Sequence, residues 1–190
     1  MESMIEIYDD ALPKEYCDHL IEQFEIFHAA QQTISPKGIQ RNSDDRVMYD
    51  WAPHYALHYY HHDIAVQFFE GLHKCYEQYA DKYEILASLE QHTPKGMSLQ
   101  RTGPRQGYHV WHIENGGLAS SSRMLVYMLY LNDVEPENGG DTEFLYQGMK
   151  VQPKAGRMVL WPSGITHPHR GNPVYEGYKY ICTGWFTYDN

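Results

Sequence analysis

Arg123-Met124-Leu125-Val126-Tyr127-Met128-Leu129-Tyr130-Leu131 is the stretch on which the reading of this chain turns. Met124 to Leu131 is its longest purely apolar run, and eight residues fall far short of the roughly 20 a helix needs to cross a bilayer. Read as a strand, it places Met124, Val126 and Met128 on one face, in the core. The pattern around it repeats. After Gly96 apolar residues recur with a period of two and turn residues arrive every eight to twelve positions. Candidate strands cover 97–102, 107–114, 123–131, 142–146, 149–152, 157–161 and 177–187, separated by Gly, Pro and Asn clusters. Many short strands at that spacing point to an antiparallel barrel or sandwich.

The first half reads differently. Asp9-Asp10 and then Pro13 look like a helix start, with a capping carboxylate and a proline in the first turn. Tyr16, Leu20, Phe24 and Phe27 follow at spacings of three or four, as one face of a helix would. A polar, broken stretch at 31–53 is loop, with a short strand around Val47-Met48-Tyr49. A second helix is expected from about 56 to 83, with Ile64, Phe68, Leu72, Cys75, Tyr76 and Tyr79 on its buried side, and Pro94-Lys95-Gly96 closes the helical half. The expectation is one domain, a helical support region at 1–96 packed on the outer face of a strand-rich core at 97–188.

With 190 residues the chain is long enough to bury a core without staples. Its 15 basic and 25 acidic residues give −10, which argues against a general nucleic-acid binder. Aromatics reach 14%, including 17 Tyr, which favours strands over a bundle. The acidic N-terminus lacks a signal pattern, and Cys17, Cys75 and Cys182 are scattered and odd in number. These features suggest a reduced, cytoplasmic protein with no membrane segment.

The chemistry concentrates in the second half. On a strand, His112 and Glu114 of Gly107-Tyr108-His109-Val110-Trp111-His112-Ile113-Glu114 share a face, while His109 and Trp111 point the other way. Two imidazoles and one carboxylate form a facial set that leaves open positions on a divalent metal, the arrangement of non-haem Fe(II) oxygenases. A third ligand is available in Trp161-Pro162-Ser163-Gly164-Ile165-Thr166-His167-Pro168-His169, where both histidines lie in a loop with the same parity. Farther on, Lys179, Thr183 and Trp185 share a strand face, with Ile181 between them. A cation and a hydroxyl four residues apart suit a carboxylate held deep in a barrel.

In order along the chain stand His112-x-Glu114, Arg123 with Tyr130-Leu131-Asn132, Gly139-Gly140-Asp141-Thr142-Glu143-Phe144, and His169-x-x-x-Pro173-Val174 with Lys179. Together these pieces, over about residues 97–188, resemble the 2-oxoglutarate and Fe(II)-dependent oxygenases, and within them the prolyl 4-hydroxylase-like group. The opening Ile5 to Pro13, with Cys17 and Leu20-Ile21, is similar to that group's N-terminal helix. The resemblance implies a double-stranded β-helix of the jelly-roll, cupin-like kind. It implies His112, Glu114 and His169 as iron ligands, and the spacing to Pro173-Val174 and Lys179 favours His169 over His167. It further implies Lys179, Thr183 and Tyr130 around 2-oxoglutarate, and Arg123 and Trp185 at a peptide substrate. Fe(II), 2-oxoglutarate and O2 are the implied cofactors, with ascorbate as accessory reductant. The chain departs from the pattern at Glu114, where aspartate is usual and the extra methylene moves the carboxylate outward.

Simpler readings apply elsewhere. His54, His58, His61 and His62 suit a solvated or interface face of a helix. Trp111 is expected against the helical half, and Thr142 as a β-branched residue entering a strand. Arg123 and Tyr130 are seven apart, on opposite faces of a regular strand, so a bulge is expected between them or Arg123 precedes the strand. Segments 31–53 and 115–122 are the expected substrate lids. The implied reaction hydroxylates an unactivated C–H bond with release of succinate and CO2, on a prolyl residue of a peptide, another side chain, a free amino acid, a nucleobase or a small metabolite. A non-catalytic metal- or peptide-binding barrel is the reading from another class. A cupin-like isomerase or zinc hydrolase fits the ligands but gives Lys179 and Thr183 no task.

Overall fold

Alternation is what builds this fold. The structure, a computed structural model, describes residues 2–33, 47–50, 62–104 and 106–188. Among the described residues, nine strands form two antiparallel sheets: β1 (Glu6–Tyr8), β2 (Val47–Asp50), β3 (His92–Thr102), β4 (Arg123–Tyr130), β5 (Thr142–Phe144), β6 (Met149–Val151), β7 (Met158–Pro162), β8 (His169–Gly171) and β9 (Lys179–Tyr188). The larger sheet runs β1-β7-β4-β9-β3-β2 and the smaller β6-β5-β8. The architecture is the double-stranded β-helix that the resemblance implies, within the antiparallel barrel-or-sandwich class that the strand spacing predicts.

Each central strand faces two layers. From β4, Leu125, Tyr127 and Leu129 enter a core shared with the helices, while Val126, Met128 and Tyr130 enter the space between the sheets. β7 divides likewise, Met158 and Leu160 against Val159 and Trp161, and so does β9, Cys182 and Phe186 against Ile181 and Trp185. The predicted bulge is present, as a register shift between Arg123 and Leu125 against β9. It turns Met124 to the helix side, whereas a regular strand would have kept it with Val126 and Met128.

The helices α1 (Lys14–Ala29) and α2 (His62–Lys82) cover the outer face of the larger sheet. Tyr16, Leu20 and Phe24 of α1, and Phe68, Leu72, Cys75 and Tyr79 of α2, are buried there, with Phe27, Ile64 and Tyr76 packed at the margin. Both apolar faces match the predicted periodicity. Residues 51–61, and with them His54, His58 and His61, lie outside the described residues, as does most of the expected lid at 31–53; His62 opens α2 and is exposed. In the other expected lid, Leu118–Ser120 form a short 3-10 turn.

Several expectations need correction. Pro13 is the N-cap of α1 rather than a first-turn residue, and no side chain caps the helix. The Asp9 carboxylate instead accepts from Arg157 and Lys154, tying the entry of α1 to the turn before β7. Pro94-Lys95-Gly96 does not end the helical half. β3 already runs from His92 and absorbs the tripeptide at a bulge between Lys95 and Ser98. Segment 107–114 is not a strand; it touches the sheet through an isolated bridge from His112 to His169. Its backbone partners are dictated by β8 and the end of β7, which local periodicity cannot reveal. Trp111 lies under the Arg170 guanidinium, 4.4 Å from its ring centre, rather than against the helices.

All three cysteines are buried and none forms a disulfide, and burial pushes the Cys17 and Cys75 thiols up to about 11. Among the described residues, no helix is long and apolar enough to cross a membrane.

Candidate active site

His112 and His169 meet because their backbones pair. His112 N–H donates to the His169 carbonyl at 3.1 Å and His169 N–H to the His112 carbonyl at 3.0 Å. Such an antiparallel pair projects both side chains to one side. The rings lie 4.4 Å apart between centres, and His169 is walled by Trp161 and Phe144 at 5.0 and 5.7 Å. Two residues on, Glu114 N–H donates to the Ser163 carbonyl at 2.9 Å, anchoring the segment to the end of β7.

The orientation of each ring is fixed by its own chain. His112 Nδ1–H donates to the Val110 carbonyl at 2.9 Å and His169 Nδ1–H to the His167 carbonyl at 3.0 Å. A carbonyl only accepts, so the neutral rings carry their proton on Nδ1 and turn an Nε2 lone pair inward. Glu114 Oε1 lies 3.3 Å from His112 Nε2 and 3.6 Å from His169 Nε2. Three acceptors thus converge on one point, an arrangement that a cation satisfies. Metal–ligand bonds of about 2.1 Å at right angles would separate neighbouring donors by about 3.0 Å, close to what is found. The donor set therefore fits a divalent metal, and these three residues are the one such cluster among the described residues.

Burial tends to raise the Glu114 carboxyl; where the facing histidine rings carry a second proton, their hydrogen bonds and charge more than offset it and hold the group well below the usual carboxylate range. Its other oxygen, Oε2, accepts from Arg123 Nη1 at 2.9 Å and Trp185 Nε1 at 3.0 Å. Burial leads in lowering His112, against the raising effect of Glu114, and so favours the neutral, ligating form of the ring.

Around this point lies a pocket lined by β3, β4 and β9. Lys179 is buried at its floor, and its Nζ donates to the Gly140 carbonyl at 2.7 Å. Gly139 and Gly140 adopt φ of +72° and +73°, a backbone path open to glycine, which turns that carbonyl toward the lysine. Thr183 lines the same wall and donates to the Tyr127 carbonyl at 2.8 Å. Tyr130 sits beneath, its hydroxyl donating to Thr142 Oγ1 at 2.7 Å, with Lys179 Nζ 5.9 Å from its ring centre. Thr142 both enters β5 and lines the pocket.

Among the predicted site residues, His112, Glu114, His169, Lys179 and Thr183 line one cavity. Arg123 and Trp185 are brought to Glu114 itself. His167 is turned away, with Nε2 at the Ser3 carbonyl, 2.7 Å off, and Nδ1 at Thr166 Oγ1. Sequence reasoning missed Gln100, Thr102 and Tyr108, which also line the pocket. A signal existed for two of them: Gln100 and Thr102 are polar residues alternating with the buried outward-facing Met97 and Leu99 of β3. Tyr108 stands edge-on to His112, 4.0 Å between ring centres, and only the tertiary path brings it there.

Residues 97–187 match the model of the 2OG-Fe(II) oxygenase superfamily. Over this stretch the chain is similar to that superfamily, and the relatives it matches include PKHD-type hydroxylases and prolyl 4-hydroxylases. The chain is 33% identical over 89 residues to a PKHD-type hydroxylase of Synechococcus sp. (strain CC9902), a match covering 46% of this chain and 39% of the relative. It is 30% identical over 107 residues to prolyl 4-hydroxylase 13 of Arabidopsis thaliana, covering 43% and 38%. The matches thus span about two fifths of the curated relatives' length. In fold, it resembles the viral collagen prolyl hydroxylase of Paramecium Bursaria Chlorella virus-1 (TM-score 0.70, 20% identity, 98% and 97% of the two chains). A Pseudomonas putida prolyl-4-hydroxylase is similar as well (TM-score 0.75, 19% identity, 98% and 93%).

Proposed function

We propose that the protein is a 2-oxoglutarate- and Fe(II)-dependent dioxygenase that hydroxylates a prolyl residue of a peptide. The observation that carries the reading is the convergence of His112 Nε2, His169 Nε2 and Glu114 Oε1 on one point at the mouth of a pocket with a buried lysine. When bound, ferrous iron with 2-oxoglutarate and O2 supplies the oxidising chemistry, releasing succinate and CO2. The chain's share is to bind, orient and exclude. His112, Glu114 and His169 would hold the metal on one side only, leaving the rest of its sphere to small molecules.

Lys179 would hold the distal carboxylate of the oxo acid. An ammonium is a strong hydrogen-bond donor, and the bond to Gly140 fixes its position. Thr183 and Tyr130 complete that end. The apolar walls from Val126, Met128, Trp161 and Ile181 restrict water around the charged pair and so strengthen their attraction. Residues 1–96 would act as the support and 97–188 as the catalytic core of one domain. Proline as the target rests on the prolyl 4-hydroxylase-like relatives, and the exposed parts of Arg123 and Trp185 are where a peptide would touch.

A succinate-release screen with Fe(II), 2-oxoglutarate and O2 over proline-rich peptides, other peptides, free amino acids and nucleosides tests the reading. Peptide-dependent succinate with hydroxyproline in the product is expected, and its abolition in His112→Ala and Glu114→Ala. Turnover retained by those variants would refute the ligand set, and release driven by another substrate class would replace proline.

A further inference from the structure

Glutamate at position 114 is the chain's departure from its group, and two side chains deal with the consequence. Arg123 Nη1 donates to Glu114 Oε2 at 2.9 Å and to the Glu114 backbone carbonyl at 3.1 Å. The indole N–H of Trp185, its sole donor, goes to the same Oε2 at 3.0 Å. The guanidinium carbon lies over that indole, 3.6 Å from the ring centre. The three residues come from three places: the bridge segment, the bulged start of β4 and the inward face of β9, where Trp185 sits opposite Val126. Glu114 Oε1 is left to the histidines.

We propose that Arg123 and Trp185 are positioning residues that clamp the second oxygen of Glu114, and that this clamp is what makes glutamate serviceable where aspartate is usual. The inference rests on the metal-centre reading above. A glutamate carries one more rotatable bond than an aspartate and is freer to swing or to offer both oxygens at once. Two donors on Oε2, one of them charged, fix the rotamer and leave a single oxygen for the metal. An aspartate, shorter by one C–C bond of about 1.5 Å, cannot reach the histidine nitrogens and both clamp donors together. The indole donor and one arm of the guanidinium, Nη1, are thereby committed to Glu114 before any substrate arrives.

Binding of Co(II) to the whole protein under anaerobic conditions, followed by its visible absorption, tests this without turnover. Trp185→Phe keeps the ring and drops the donor; Arg123→Gln drops the charge. Each is expected to weaken Co(II) binding about 10- to 100-fold, the usual cost of losing a partner of a metal ligand, and to change the absorption envelope. Their melting temperatures are expected to stay close to the parent's. Glu114→Asp is also expected to bind more weakly, and adding Trp185→Phe to it to cost nothing further, because the donor then has no carboxylate to hold. Unchanged affinity and spectrum in both clamp variants, or additive losses in the double variant, would overturn the clamp while leaving the metal centre standing. Co(II) binding as tight in His112→Ala as in the parent, or none in the parent, would overturn the metal centre itself and the clamp with it.

Discussion

The two layers on either side of the larger sheet are built from the same strands and do opposite things. Toward the helices, Leu125, Tyr127, Leu129, Leu160, Cys182 and Phe186 meet Leu20, Phe24, Phe68 and Leu72 in a packed apolar layer. Where a hydroxyl enters that layer it finds a backbone carbonyl, as Tyr16 does at Ile64 and Tyr79 at Met4. Toward the smaller sheet, alternate residues of those strands include Gln100, Thr102, Lys179 and Thr183, all buried and polar, around a pocket. A buried polar group costs stability unless satisfied, whereas apolar burial contributes about 25 cal/mol per Å². One face holds the protein together and lets the other carry groups that chemistry needs. Separating stability from function should therefore be possible by changing neighbouring residues of one strand.

The largest separation is expected from Lys179→Ala on the inner face of β9. It should raise the apparent KM for 2-oxoglutarate by one to two orders of magnitude, as loss of a desolvated charge partner does, while Co(II) binding survives. Steady-state kinetics beside a metal titration measure both, and an unchanged KM would remove Lys179 from the co-substrate site. The counterpart in the outer layer is Phe68→Ala, which opens a cavity beside Tyr127 and Phe69. Denaturant unfolding should show about 3–5 kcal/mol less stability, with the turnover of the remaining folded protein near the parent's. A large change in KM there would mean that the layers are not independent.

A smaller effect is expected at Gly184, on the helix-facing side of β9. A Cβ there would collide with the Tyr127 hydroxyl and the Gly96 carbonyl, at the bulge of β3. Gly184→Ala should cost about 1–3 kcal/mol by the same unfolding measurement, and a neutral result would show that the bulge can shift. The smallest is Asp9→Asn, on the surface. Hydrogen bonds from Arg157 lead in lowering the Asp9 carboxyl to about 2, with Lys154 assisting against the opposing effect of burial. A depressed folded-state value stabilises above the unfolded carboxyl's ordinary pKa, and that stability is lost as pH falls through about 2. Melting curves between neutral pH and pH 2 should show a slightly shallower acid limb for the variant; identical limbs would mean the pair contributes nothing.

The sequence alone carried the parity of β4, β7 and β9, both helix faces, a bulge as one of two ways to place Arg123 and Tyr130, and the spaced motif from His112 to Lys179. These are consequences of covalent geometry: side chains alternate along an extended chain and recur every 3.6 residues along a helix, whatever lies opposite. What only the tertiary structure decided is which groups face one another. The spacing already favoured His169 over His167; the structure supplies the reason, because the His169 backbone pairs with His112 whereas His167 is drawn to Ser3, 164 residues away. Segment 107–114 is extended without being a ladder strand, Trp111 rests on Arg170, and Arg123 and Trp185 close on Glu114, because those contacts join segments distant in sequence. Local periodicity names the face a residue occupies; the packing of remote elements chooses its partner.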